Sequence, residues 1–272
     1  MKIGVIGLGM VGEAVAFGLR RVGHDVVGFD RDPTKSQNNF VDVLSTKVVF
    51  VCVPTPTVAS QCDISSIWDV TTKLNSGAYD GLIVIKSTVT PGTTGILQST
   101  FPDMRFAFCP EFLRERARFS DFVENHELCV VGTTNVLDYS LVLEAHGDLP
   151  KHVVKMSPTE AELVKYFVNC FNAQRVVFAN AFYDVCKTLG ADYGAIKDAV
   201  CHRSGIRPDY LTCNEQTREF GGACLPKDTK AFASFVYSLG LRTGVFEHIV
   251  TENDRVKRGS ITVDDVIEER VA

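Results

Sequence analysis

Lys2-Ile3-Gly4-Val5-Ile6-Gly7-Leu8-Gly9-Met10-Val11-Gly12 is the stretch that decides the fold. A short β-rich run, Lys2–Ile6, leads directly into Gly-x-Gly-x-x-Gly, the order in which a strand, a tight turn and a helix N-terminus are joined in a dinucleotide-binding unit. In this reading Gly7 allows the turn, Gly9 lets a pyrophosphate reach the backbone, and Gly12 lets the helix pack on the strand. Leu8, Met10 and Val11 complete a loop whose amides face the phosphates, where the helix dipole favours an anion. Asp30 closes a second β-rich run, Asp25–Phe29, eighteen residues beyond Gly12. A carboxylate there accepts ribose hydroxyls and repels a 2′-phosphate, which favours NAD over NADP, although Arg31 lies beside it.

Further β-rich runs follow at Lys47–Val53, Leu82–Lys86, Arg105–Phe108 and Leu128–Val131. All read as buried parallel strands, and they alternate with helical stretches, which predicts βαβ units and an open parallel sheet. After about residue 156 the character changes. Ser157-Pro158-Thr159-Glu160 reads as a helix start: an N-cap, a proline in the first turn, then an acid at the positive end. Neither Gly nor Pro interrupts from there to Leu189, and Gly190 suits the C-cap. A loop is expected from His202 to Gly222 and another helix near Lys227. The fold class is thus α/β: a Rossmann-type NAD-binding domain at 1–155, an all-helical domain with a long central helix at 156–255, and a charged tail at 256–272.

Composition narrows the function. The chain has 272 residues, 45% of them hydrophobic, enough for a sizeable core and too many for a disordered chain. Its apolar runs fall short of the roughly 20 residues a bilayer needs, so no membrane association is expected. The formal net charge of −5 argues against a nucleic-acid partner. Lys2 is followed by a glycine-punctuated strand rather than an apolar signal segment, which predicts a cytoplasmic protein. The nine cysteines then read as thiols in a reducing compartment. None has the paired spacing of a zinc site, and no metal is expected.

One cysteine stands apart in Phe220-Gly221-Gly222-Ala223-Cys224-Leu225-Pro226-Lys227-Asp228. Two glycines before Cys224 allow a substrate to approach the backbone, and Pro226 suits the first turn of a helix whose positive end favours a thiolate. Lys227 adds positive charge, and Asp228 could position a water or a base. Further distinctive pieces are Val53-Pro54-Thr55-Pro56, Lys86-Ser87-Thr88-Val89 with Pro91-Gly92-Thr93, Pro110-Glu111-Phe112-Leu113-Arg114-Glu115, and Ala161-Glu162-Leu163-Val164-Lys165 with Asn169.

With these motifs in this order, residues 1–255 resemble the UDP-glucose/GDP-mannose dehydrogenase family, the nucleotide-sugar 6-dehydrogenases that feed polysaccharide synthesis. The resemblance implies two NAD-dependent oxidations of the C6 alcohol of a nucleotide sugar, UDP-glucose or a near relative, to the carboxylate. Cys224 would hold the carbon as a thiohemiacetal and then as a thioester, splitting one hard step into easier ones. Lys165 and Asn169, at i and i+4 on one helix face, become the oxyanion donors, with Asp228 and Thr88 holding a catalytic water. Glu111 serves the sugar and the hydrolytic water, and Glu115 the nicotinamide side; the two would share a face if their segment were helical. Val53, Pro54, Thr55 and Thr88 join the cofactor site. Phe112, Leu113, Arg114, Phe220 and Gly221 join the substrate site. Arg207 takes the place of an arginine that the family supplies from a neighbouring subunit, with Arg203 and Arg218 as rivals. The long helix, through Phe167, Phe171, Val176, Val177 and Phe178, would build a homodimer.

Three departures from the family pattern stand out. The sequence stops where a nucleotide-covering C-terminal domain would begin, the segment between Asp30 and Val53 is short, and Cys109 precedes the Pro110 motif where a small polar residue is common. Two other readings stay open. One is a single-step β-hydroxyacid dehydrogenase, which needs no cysteine. The other is a non-catalytic NAD-binding or subunit-interaction module.

Overall fold

The computed structural model describes residues 1–257 and divides the chain into two compact units, residues 1–58 with 62–165, and residues 59–61 with those from 166 onward. In chain order the elements are β1 (Lys2–Ile6), α1 (Met10–Val22), β2 (Asp25–Phe29), α2 (Phe40–Val43), β3 (Val48–Val51), β4 (Thr57–Val58) and β5 (Gln61–Cys62). Next come α3 (Ser65–Ser76), β6 (Leu82–Ile85), α4 (Thr93–Thr100), β7 (Arg105–Phe108), a 3₁₀ turn (Glu115–Ala117), α5 (Arg118–Val123), β8 (Leu128–Gly132), α6 (Val136–His146) and β9 (His152–Met156). Four helices follow: α7 (Pro158–Leu189), α8 (Tyr193–Cys201), α9 (Leu225–Ser238) and α10 (Val245–Lys257).

Seven strands form one sheet in the order β2-β1-β3-β6-β7-β8-β9. From β2 to β7 every pairing is parallel. The near-continuous apolar runs are explained by burial on both faces. Ile3, Val5, Val48, Phe50, Leu82 and Val84 pack with Val15 and Leu19 of α1 on one side. Val49, Val51, Ile83, Ile85, Phe106 and Phe108 pack with Ile67 and Leu74 of α3 and Leu97 of α4 on the other. Between Asp30 and β3 only the single turn of α2 remains, so β2 is an edge strand.

The sheet departs from the sequence expectation at one end. The run at Leu128–Val131 is a strand, but β8 meets β7 antiparallel through Phe108 and Gly132. A parallel partner needs a crossover that carries the chain back along the sheet. The connection here holds only a 3₁₀ turn and the six-residue α5. α5 is anchored by Phe122, which lies so close over Gly18 of α1 that a Cβ there would fall 2.0 Å from its ring. β8 therefore enters from the opposite end, and β9, unforeseen in the sequence, pairs parallel beyond it. β9 is an exposed edge strand whose His152 and Lys155 break the apolar pattern, as edge strands commonly do.

α7 has 32 residues and spans about 48 Å. Its start is a capping box: the Ser157 amide donates to Glu160 and the Glu160 amide to Ser157 Oγ. Its end is Gly190 at φ +66°. In the second unit Ala173, Val177, Phe220 and Ile249 form one small core, and Ala179, Cys186, Tyr193 and Cys213 another. Val177, and Val176 packed beside it, thus serve the unit's own core, whereas Phe167, Phe171 and Phe178 are exposed. Of the charged tail expected at 256–272, Val256 and Lys257 close α10, and the remainder lies outside the described residues.

Candidate active site

The glycine loop behaves as its spacing predicts. Gly7 sits at φ +90°, and a Cβ there would lie 2.7 Å from the Cys52 carbonyl oxygen. At Gly12 a Cβ would fall 1.8 Å from the carbonyl oxygen of Gly7, so helix and turn can meet only over a hydrogen. A Cβ at Gly9 would meet nothing within 4 Å among the described residues, which leaves its side of the loop open to a ligand. No side chain caps the start of α1, where Met10 and Val11 open the helix. The Leu8 amide donates to Asp30 Oδ2 at 2.6 Å and the Asp32 amide to Oδ1 at 2.9 Å, so the loop itself fixes the carboxylate at the end of β2. These features fit a dinucleotide: an open glycine at a bare helix N-terminus, with an acid held beside it.

The motifs after β3 and β6 lock together. Thr55 Oγ1 donates to the Thr88 carbonyl at 2.7 Å and Ser87 Oγ to that of Val53 at 2.6 Å, while Pro54 is exposed between them. Buried Glu162 of α7 accepts from the amides of Gly92 and Thr94 and from the Thr94 hydroxyl, and so caps α4 across a long sequence separation. Burial pushes its carboxyl up against the opposing pull of those hydrogen bonds. The capped turn fixes the loop that carries Thr88.

Glu111 is buried and pairs with buried Lys86 at 3.1 Å, and its Oε1 accepts from the Phe112 amide. Lys165 Nζ donates to the Glu111 carbonyl at 2.5 Å and lies 5.4 Å from the centre of the Phe112 ring. Burial alone would lower the Lys86 ammonium, but Cys109 and Glu111 beside it outweigh that and hold it above its usual range. Residues 110–114 are not helical, so Glu111 and Glu115 share no helix face; Glu115 is exposed at the start of the 3₁₀ turn. Leu113 packs against the sheet core. The Arg114 guanidinium makes a two-pronged contact with Asp121, at 2.9 and 2.7 Å, and that bond holds the Asp121 carboxyl below the usual carboxylate range.

In the second unit Cys224 is the half-buried N-cap residue of α9, with Pro226 in the first turn and Gly222 at φ +76° before it. The Asp228 amide donates to the Cys224 carbonyl, which starts the helix. Asp228 itself is 1% exposed; Asn169 Nδ2 donates to one oxygen at 2.6 Å and Lys227 Nζ to the other at 2.5 Å. Phe220 is buried and Gly221 exposed. Asn253 of α10, which nothing in the sequence singles out, grips the Phe220 backbone from both sides, accepting its amide proton at 2.8 Å and donating to its carbonyl at 3.1 Å. Arg207 is exposed and pairs with Asp209 at 3.3 Å. Its rival Arg203 is exposed too, while Arg218 turns inward to Asn180 and Asp184 and serves the core.

Two family models match the chain: the NAD binding domain of the UDP-glucose/GDP-mannose dehydrogenase family at residues 36–144, and the central domain of the same family at 159–255. UDP-glucose 6-dehydrogenase TuaD of Bacillus subtilis is 28% identical over 93% of this chain and 63% of its own length. GDP-mannose 6-dehydrogenase of Pseudomonas savastanoi pv. phaseolicola is 26% identical over 93% of this chain and 68% of its own. Among solved structures, a UDP-glucose dehydrogenase from Pyrobaculum islandicum superposes with a TM-score of 0.87 at 29% identity, over 94% of this chain and 68% of that one. The chain spans about two thirds of the length of such relatives.

Proposed function

Because the chain belongs to the UDP-glucose/GDP-mannose dehydrogenase family, with NAD as its cofactor, we propose that it acts as a nucleotide-sugar 6-dehydrogenase, taking UDP-glucose to UDP-glucuronate through a covalent bond to Cys224. The observation that carries this reading is Cys224 itself: accessible, at a helix N-terminus, behind two glycines, with a buried and doubly hydrogen-bonded Asp228 one turn along.

In this proposal residues 1–155 bind NAD through Gly7, Gly9, Gly12 and Asp30, with Val53, Thr55 and Thr88 behind them, and residues 156–255 carry the nucleophile. Bound NAD supplies the hydride acceptor for each oxidation. The Cys224 thiolate adds to the C6 aldehyde, and Lys165 and Asn169 donate to the oxygen that becomes negative. After the second oxidation the carbon is a thioester. Water, held by Asp228 and Thr88 and deprotonated with help from Glu111, then adds to it, and the thiolate leaves as the carboxylate forms. Glu111 through Arg114, Phe220, Gly221 and Arg207 contact the sugar nucleotide.

A homodimer through α7 is part of the proposal. Phe167 is 72% exposed and Phe178 58%, and Leu163, Phe171, Phe182 and Leu189 continue the same apolar stripe. Such a stripe on a soluble surface calls for a partner. Among the described residues no helix is long and apolar enough to cross a membrane.

Purified chain incubated with NAD and UDP-glucose, GDP-mannose or a UDP-N-acetyl sugar tests the reading. It expects two NADH per sugar consumed and no acid from Cys224→Ser. One NADH per turnover, insensitive to that substitution, would instead favour a single-step hydroxyacid dehydrogenase. No turnover and no binding of any sugar nucleotide would leave an NAD-binding module.

A further inference from the structure

The core of the first unit holds three donor side chains that the proposed reaction does not use. Cys109 follows β7, Cys129 lies on β8 and His146 ends α6, and together they bring two sulfurs and a ring nitrogen within 4.8 Å of one another. All three side chains are buried, His146 completely. The two sulfurs are 3.8 Å apart. Two thiolates bound about 2.3 Å from one tetrahedral zinc ion also stand about 3.8 Å apart.

The histidine gives the second, independent observation. Its Nδ1 lies 2.8 Å from the Val142 carbonyl oxygen, which can only accept, so the proton sits on Nδ1. That leaves Nε2 with a lone pair that no nitrogen or oxygen among the described residues engages, while the Cys109 thiol hydrogen-bonds to the same imidazole. A backbone carbonyl behind the opposite ring nitrogen is also how metal-bound histidines are commonly oriented. The charges balance as well. Two thiolates neutralise a divalent cation, and the neighbouring Lys86, 3.5 Å from Cys109 Sγ, is already neutralised by Glu111.

We infer that Cys109, Cys129 and His146 form a structural site for one thiophilic divalent cation, zinc in the first instance, its fourth position filled by a water enclosed with the ion as the chain folds. The ion would tie the end of β7, just before Pro110 and Glu111, to β8 and α6. Because the cluster is closed to solvent, the ion enters as the chain folds.

The test is to express the full chain in zinc-supplemented medium, dialyse it against a weak chelator under reducing conditions and measure metal by elemental analysis. In parallel, protein refolded with cobalt(II) is examined by absorption spectroscopy. One zinc per chain is expected in the unsubstituted protein and in Cys201→Ser, a cysteine outside the cluster. Cys129→Ser and His146→Gln should each lower zinc affinity by at least about tenfold. If those variants do not fold, the cobalt protein decides: thiolate-to-cobalt charge-transfer bands support the site, and their absence overturns it. A metal-free protein after folding with zinc, zinc retained in Cys129→Ser, or a Cys109–Cys129 disulfide in peptide maps would each overturn it too.

Discussion

Gly9 and Gly12 are glycines for opposite reasons, and that difference is measurable. A methyl group at Gly12 would fall 1.8 Å from the Gly7 carbonyl oxygen, so Gly12→Ala must push helix and turn apart. It should cost about 1–3 kcal/mol of stability, read from denaturant melts. Gly9 faces open space. Gly9→Ala should therefore leave stability within about 0.5 kcal/mol yet weaken NAD at least tenfold by calorimetry, since the methyl takes the room meant for phosphate; unchanged affinity would remove Gly9 from the site. Both glycines are legible in the sequence because a position where a side chain would be in the way, of backbone at Gly12 and of a ligand at Gly9, leaves its mark on residue type. Asn253 leaves none. It is one amide on a polar helix, and its importance comes from Phe220, thirty-three residues away, whose buried amide and carbonyl it satisfies. Asn253→Ala strands both groups and should destabilise the second unit by about 2–4 kcal/mol. Cys109, Cys129 and His146 are equally silent, because the sheet, rather than any local spacing, gathers them.

At the scale of elements, ends and patterns are legible while directions are not. Ser157, Pro158 and Glu160 announce the start of α7, and Gly190 its stop, because caps satisfy local backbone groups. The antiparallel sense of β8 is invisible, since an apolar run reads alike in either direction and the connection decides. That connection is held by Arg114 and Asp121. Arg114 keeps the Asp121 carboxyl low, so the pair stabilises fully above the unfolded carboxylate value of about 3.9. The contribution drains away as the pH falls through the lower folded value. Arg114→Leu should thus cost up to about 1 kcal/mol at neutral pH, and its urea midpoint should converge on that of the unsubstituted protein in strong acid. A gap that stays constant with pH would mean Arg114 works by packing alone. The apolar stripe of α7 supports a prediction of its own kind. Phe167→Arg with Phe178→Arg should give a well-folded monomer by sedimentation, because both side chains are exposed and neither contributes to the unit's own core.

For the whole molecule, the two units separate the two halves of the proposed chemistry, and ligand linkage can test them one at a time. NAD at a hundred times its dissociation constant should stabilise the unit that binds it by about 2.7 kcal/mol. Cys224 and the glycine loop belong to different units. Cys224→Ser should therefore keep that gain in full while losing acid production, whereas Gly9→Ala, with NAD at least tenfold weaker, should keep no more than about 1.4 kcal/mol of it while leaving the Cys224 thiol as reactive toward a small alkylating agent as before. The thiol gives the sharper reading. If Cys224 is the nucleophile, saturating UDP-glucose should slow its alkylation by iodoacetamide in the presence of NADH, and the half-buried thiol should regain its rate when the sugar nucleotide is dialysed away. Equal alkylation with and without the sugar would separate Cys224 from the substrate, and the thioester route would then have no residue to run through.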